Sequence, residues 1–286
     1  MPAGVAFTLP HGVRAGSEWT RDARLHALTG AEEEFLAEEG ATLAPAERTT
    51  ELLARCVDRI GPIEASPETV LQLTIGDREA LLLQIRRLTF GDRLEAVVAC
   101  PSADCGERMD LELSVGDLLV EPSLGEDDWR QGAVARAGSR YTVRYRAPTG
   151  ADQRDAARLA TDLPAAAALV LERCLGGVVD DRGEPVAEVP AAVAEALPEL
   201  MASCDPQAEI LLSLACPACA TRFRVLFDAG EYLARELEAQ REGLYREVHQ
   251  LALHYHWSEA EILAMPTGKR RRYLELLADA VQQGAR

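Results

Sequence analysis

Apolar positions in the first third of the chain recur at helical spacing. Leu52, Leu53, Cys56, Val57 and Ile60 mark one face of a helix that Pro45 opens and Gly61-Pro62 ends. That periodicity makes Cys56 a core residue. Upstream, Thr29 and Glu32 have the spacing of a capping box, and Glu32, Glu33 and Glu34 put negative charge in a first helical turn, where the dipole favours it. This helix stops near Gly40. Ser66-Pro67 opens another, and Thr74 to Asp77 restarts one carrying Leu81, Leu82, Ile85 and Leu88. Residues 1–28, with Gly4, Pro10, Gly12 and Gly16 and no sustained apolar period, read as an extended or mobile arm.

From Arg93 the period shortens to that of strands. Leu94 to Ala99 lead into Cys100, and beyond Cys105 the residues Met109, Leu111 and Leu113 alternate with Arg108, Asp110 and Glu112. The same grammar returns later: Ile210 to Leu214 lead into Cys216, and beyond Cys219 the residues Phe223, Val225 and Phe227 alternate with Arg222 and Arg224. Between the two units, Glu121 to Gly138 is polar and glycine-rich and reads as a loop. A strand with Tyr141, Val143 and Tyr145 on one face follows, and Thr149 with Asp152 caps the next helix. The alanine-rich runs 156–175 and 190–203 read as helices, with a turn at Asp180-Asp181-Arg182-Gly183 between them.

The last region is helical. Asp228 and Glu231 have capping spacing, and Leu233, Leu237, Leu244, Val248, Leu251 and Tyr255 mark a single helix ~40 Å long at ~1.5 Å per residue. It breaks around His256-Trp257, Ser258 and Glu261 cap a short helix reaching Met265, and Lys269 to Arg272 lead into a final amphipathic helix with Tyr273, Leu274, Leu276 and Leu277. The expected fold class is α+β: a split four-cysteine zinc-ribbon sheet flanked by N- and C-terminal helices, with a small α+β insert. Its segments are the arm (1–28), a helical region (29–90), the first ribbon half (91–138), the insert (139–207), the second ribbon half (208–228) and the C-terminal helices (229–286).

The ribbon reading rests on Cys100-Pro101-Ser102-Ala103-Asp104-Cys105-Gly106 and Cys216-Pro217-Ala218-Cys219. Each is a close cysteine pair between strand-like stretches, and two such pairs supply the four thiolates of a tetrahedral zinc site. Closing the long intervening loop costs on the order of 4 kcal/mol, against roughly 10–16 kcal/mol for structural zinc in small peptides. Four ordinary buried cysteines are the alternative. Cys56, Cys174 and Cys204 show no comparable pairing.

At 286 residues and 48% hydrophobic the chain can bury a sizeable core. No run approaches the ~20 apolar residues of a membrane span, and Met1-Pro2-Ala3-Gly4 lacks signal-peptide character, so a reducing cytoplasm is expected. There, paired cysteines favour metal over disulfide. The net charge of −17 argues against a nucleic-acid surface. His254 and His256 with Glu259 and Glu261 lack the spacing of a helical metal site, and no phosphate loop or nucleophile elbow is present. A closed four-thiolate shell leaves no position for activating water, so no catalytic activity and no small-molecule substrate are expected.

Leu88-Thr89-Phe90-Gly91-Asp92 leading into the first cysteine pair, Arg146-Ala147-Pro148-Thr149-Gly150-Ala151-Asp152, and His254-Tyr255-His256-Trp257-Ser258-Glu259-Ala260-Glu261-Ile262 with the arginine cluster give the chain, over most of residues 28–280, a pattern that resembles the T4-type bacteriophage baseplate protein family. The resemblance implies a non-enzymatic structural or assembly role in the baseplate or hub of a contractile tail-like particle. Other baseplate or hub proteins are the implied partners, and the chain is either a permanent component or a transient factor. A zinc-ribbon regulator binding nucleic acid through Arg270 to Arg272 is the alternative. For docking on a partner, the candidate residues are Trp257, Lys269, Arg270, Arg271, Arg272 and Tyr273, because a basic run in an acidic chain is a local reversal of sign.

Overall fold

A computed structural model describes residues 4–122, 127–136 and 138–284. Strands β1 (Val5–Ala15) and β2 (Glu18–Leu25) form an antiparallel hairpin, followed by helices α1 (Gly30–Ala37) and α2 (Pro45–Cys56) and the short strands β3 (Val57–Ile60) and β4 (Ile63–Glu64). These strands make one sheet in the order β1-β2-β3-β4. The stretch expected to be an arm is therefore core: Leu9 and Leu25 are fully buried. Pro10 and Gly12, which read as breakers, sit in a bulge between Thr8 and Val13 that shifts the register of β1 against β2. Gly12 has φ +83, and a β-carbon there would lie 2.1 Å from the Thr20 carbonyl oxygen. Residues 1–3 of the expected arm lie outside the described residues.

Helices α3 (Pro67–Gln72) and α4 (Ile75–Phe90) complete the main body. Leu81, Leu82, Leu83 and Ile85 of α4 are all buried, so this helix lies inside the protein rather than on it. Two arginines, Arg78 and Arg86, are buried with it. Arg78 donates to the carbonyls of Val70 and Ala46 and to the Thr50 hydroxyl, tying α2 and α3 to α4. Arg86 donates to the carbonyls of Gly91 and Arg93.

The chain continues as hairpin β5 (Arg93–Ala99) and β6 (Arg108–Ser114), the single turn α5 (Val115–Leu118), and strands β7 (Trp129–Arg136) and β8 (Ser139–Arg146). The expected loop at Glu121–Gly138 thus contains β7, which pairs with β8 from Trp129 to Arg136. Its central residues, Gly132 to Ala135, carry little strand propensity; Val134 packs in the insert core, and that packing decides. Helices α6 (Gly150–Ala157) and α7 (Leu163–Cys174), strand β9 (Leu175–Val179) and helix α8 (Ala191–Cys204) follow, with sheet order β7-β8-β9. Val134, Val143, Val178, Val193, Leu197 and Met201 form this unit's own core.

Hairpin β10 (Ile210–Ala215) and β11 (Arg222–Phe227) leads to helices α9 (Ala229–Glu238), α10 (Arg241–Tyr255), α11 (Glu259–Leu263) and α12 (Thr267–Gly284). The expected long helix is interrupted between Glu238 and Arg241. Leu233 and Leu237 of α9 enter the main core, whereas Leu244, Val248 and Leu251 of α10 pack with Ile262 and Leu263 in a separate cluster. One straight helix cannot present its stripe to two cores. Arg86 also pairs with Glu236 of α9 through two bonds of 3.1 and 2.8 Å, so α4, α9 and the entry to β5 share one guanidinium.

A buried polar knot fastens the insert to the body. Asp205, just past α8, accepts from the Gly76 amide at 2.9 Å and contacts His11 Nε2 at 3.1 Å. Asp77 accepts from the amides of His11 and Gly12 at 2.8 and 2.9 Å. A β-carbon on Gly76 would stand 1.8 Å from Asp205 Oδ1. Gly76→Ala is therefore expected to displace Asp205 and cost about 3 kcal/mol in urea denaturation. Gly243→Ala, at a position open to solvent, should instead be neutral or stabilising by up to about 1 kcal/mol.

Candidate metal centre

Both cysteine pairs sit at hairpin tips. The Cys100 amide donates to the Glu107 carbonyl at 2.7 Å, and the amides of Cys105 and Gly106 fold back onto the Ser102 carbonyl. Gly106 takes φ +61, which closes the turn. In the second hairpin the Cys216 amide donates to the Thr221 carbonyl at 2.9 Å and the Ala220 amide returns to the Cys216 carbonyl. Ala220 adopts a left-handed φ of +59, a strained conformation for alanine that holds both thiols on one side of the turn.

The two tips meet. Cys100 Sγ lies 3.6 Å from Cys219 Sγ and Cys105 Sγ lies 3.7 Å from Cys216 Sγ, and all four sulfurs stand within 4.8 Å of one another. A disulfide needs ~2.05 Å, so these are free thiols. Sulfurs arranged tetrahedrally at ~2.3 Å from a central ion stand about 3.8 Å apart, close to the two cross-hairpin separations, so the donor set is spaced to hold a metal ion. Cys100 and Cys216 are buried against Met109, Val98 and Phe223, Cys105 is half-buried, and Cys219 is exposed.

Hydrogen bonding differentiates the thiols. The Thr221 side chain, and then its amide, lower Cys219 to about 6. Cys100 is pulled down by the Ser102 backbone, but burial and its bonds to the other three thiols outweigh this and push it up to about 12. Metal must therefore displace protons held by the cluster. Among the described residues these cysteines form the one group of three or more side chains placed to bind a metal. Cys56 and Cys174 are fully buried in separate cores, and burial pushes Cys204 up to about 11. Cys204 lines a cavity of about 370 Å³ together with His11, Trp19 and Trp129, but at neutral pH it holds its proton and presents no nucleophilic thiolate.

The residues expected to meet a partner are divided by the fold. Arg270 turns inward: it is 1% exposed, pairs with Glu247 at 2.6 Å and with Glu33, and anchors α12 to α10 and α1. It is therefore not part of a docking surface. One buried guanidinium joins two half-buried carboxylates from different helices, and the spacing along α12 alone does not record them. Arg271 lies over the Phe90 ring and donates to Gln240, Arg272 pairs with Glu275 of its own helix, and Lys269 is exposed. Trp257 stacks on Tyr255 at 4.6 Å and meets Tyr273 edge-on at 4.9 Å, so both aromatic candidates are half-buried in one cluster. Arg270 thus leaves the basic run for the interior, while Lys269, Arg271 and Arg272 stay exposed.

This is an α+β chain in which two cysteine-tipped hairpins close on one four-thiol cluster that could hold a metal ion. The family model for the T4 bacteriophage base plate protein matches residues 7–234, and the chain belongs to that family. The match takes in both hairpins and ends within α9. No curated protein and no solved structure matches the chain. No helix among the described residues is long and apolar enough to cross a membrane.

The inward Arg270 generates a test. Arg270→Ala should destabilise the protein by about 3–5 kcal/mol, since it leaves Glu33 and Glu247 without their shared cation. Arg272→Ala, which removes an exposed pair, should change the denaturation midpoint hardly at all.

Proposed function

We infer that this chain is a non-enzymatic structural or assembly protein of the baseplate of a contractile, phage tail-like particle, and that Cys100, Cys105, Cys216 and Cys219 hold a structural zinc ion in a split ribbon. Membership in the base plate family over residues 7–234 carries the reading. The cysteine geometry supports the metal, because four thiolates complete a tetrahedral shell and suit zinc among common cellular ions. Bound there, zinc supplies a crosslink. The inward faces of the hairpins also pack: Leu94 on one and Ile210 and Phe227 on the other join the main core, and Met109 lies against the cysteines.

Two measurements test the parts separately. Purified protein should contain one zinc per chain, and Cys216→Ser should abolish it and lower the thermal midpoint by on the order of 10 °C, because metal binding energy is folding energy. Loss should follow the sign of the thiol shifts: with Cys100 pushed up to about 12, protons compete increasingly as pH falls, so a chelator should strip zinc faster at acid than at alkaline pH. Metal-free protein of unchanged stability would end the zinc assignment. For the assembly role, a host that makes the particle should yield no complete baseplates when this chain is deleted. Normal particles from the deletion strain would refute it.

A further inference from the structure

The two hairpins share a tip chemistry but differ on their outer faces. In β10–β11 the outward residues are Leu211, Ser213 and Ala215 opposite Leu226, Arg224 and Arg222. Leu211 and Leu226 are direct cross-strand partners, 43% and 59% exposed. Neither Arg222 nor Arg224 makes an ion pair or side-chain hydrogen bond among the described residues. The corresponding face of β5–β6 carries both signs: Arg93 pairs with Glu95 at 3.0 Å and with Glu112 at 2.8 Å, and the exposed Arg108 shares its strand face with Asp110, so two arginines stand among three carboxylates. In a chain of net charge −17, one hairpin face keeps two uncompensated arginines beside an exposed leucine pair. At the base of that hairpin Asp228 is already engaged, capping α9 through the Glu231 amide at 2.7 Å.

We propose that the outer face of β10–β11 is a docking surface for an acidic, apolar-anchored segment of another protein. Leu211 and Leu226 supply the anchor, and Arg222 and Arg224 select the charge of the segment and point its acidic end toward the cysteine tip. The proposal rests on the assembly role inferred above, which requires a protein partner. Arginine beside an apolar pair is the composition of interface centres, where its planar fork binds carboxylates bidentately and its stem extends the apolar contact. A phosphate backbone would use the arginines but not the leucines. The tip closure and the inward packing of Ile210 and Phe227 hold the face rigid before binding, which lowers the ordering cost.

The probe is a fluorescent peptide of alternating glutamate and valine, compared by anisotropy with a lysine-valine peptide and a DNA duplex on the full, metal-loaded chain. The glutamate peptide should bind at least about tenfold more tightly than either, with affinity falling as salt rises. The double variant Arg222→Glu/Arg224→Glu should reverse the peptide preference, and Leu226→Ser should weaken binding of the glutamate peptide about tenfold. Both variants should retain metal content and circular dichroism, since the substituted side chains are exposed. Equal binding of the two peptides, preference for DNA, or indifference to either variant would overturn the surface. Self-association of the chain that Leu226→Ser abolishes would assign the face to a second copy and also overturn it. In the deletion host, full restoration of particles by the double-arginine variant would remove this surface while leaving the assembly role standing.

Discussion

A helix buried inside a protein cannot leave its terminal amides and carbonyls to water, and α4 is such a helix. Its first four amides are satisfied by three residues: Ile75 by the Pro148 carbonyl, Gly76 by Asp205, Asp77 by the Thr74 hydroxyl, and Arg78 by the Thr74 carbonyl. At the other end, Arg86 gathers the carbonyls of Gly91 and Arg93, and the Thr89 hydroxyl accepts from the Leu28 amide. Pro148 and Asp205 thus tie the insert to the start of α4, Arg86 ties the entry of β5 to its end, and Asp77 holds the amides of His11 and Gly12 in β1. The same contacts aim β5, and with it Cys100, at the second hairpin.

Meeting of the hairpins then depends on little else. The cysteines that approach across the cluster are 119 and 111 residues apart in sequence, yet loop-closure entropy grows only as the logarithm of length. The intervening insert has its own core and its own fastening at Asp205, so it brings both strand entries back to the body already ordered. A metal crosslink at the tips would therefore stabilise an approach that packing has largely arranged. At the tips, glycine at position 106 allows the left-handed turn freely, whereas Ala220 takes φ +59 against its preference.

The C-terminal helices are attached by a different device. The Gly30 amide donates to the Met265 carbonyl at 3.3 Å, the Thr267 amide to the Leu28 carbonyl at 3.1 Å, and Arg270 then closes on Glu33. This clasp joins the last three helices to the capped start of α1. They lie beyond the span matched by the family, with a small core of their own. Attachment through a few buried polar bonds, rather than through a shared apolar core, makes this unit more sensitive to one charge deletion than to truncation of any single leucine.

Sequence by itself determined what local chemistry controls. Capping boxes at Thr29, Ser66, Thr149 and Ser258 start helices because a side chain and an amide three residues apart find each other in any context. Alternation around the cysteine pairs foretold both hairpins, since a period of two is set by the strand backbone itself. Those pairs also named the four cysteines that the fold brings together. Tertiary structure alone decided the rest. It turned a glycine- and proline-marked arm into β1 and β2 by supplying a sheet and tolerating a bulge, and it made β7 from a glycine-alanine stretch by packing Val134. It split the long C-terminal helix between two cores, and it drew Arg270 out of a basic run and into the interior. These outcomes rest on partners distant in the chain, Ile60 and Asp77 for the N-terminal hairpin, Val193 for β7, and Glu33 for Arg270 among them, and no local pattern of charge or hydropathy records which distant group will be there.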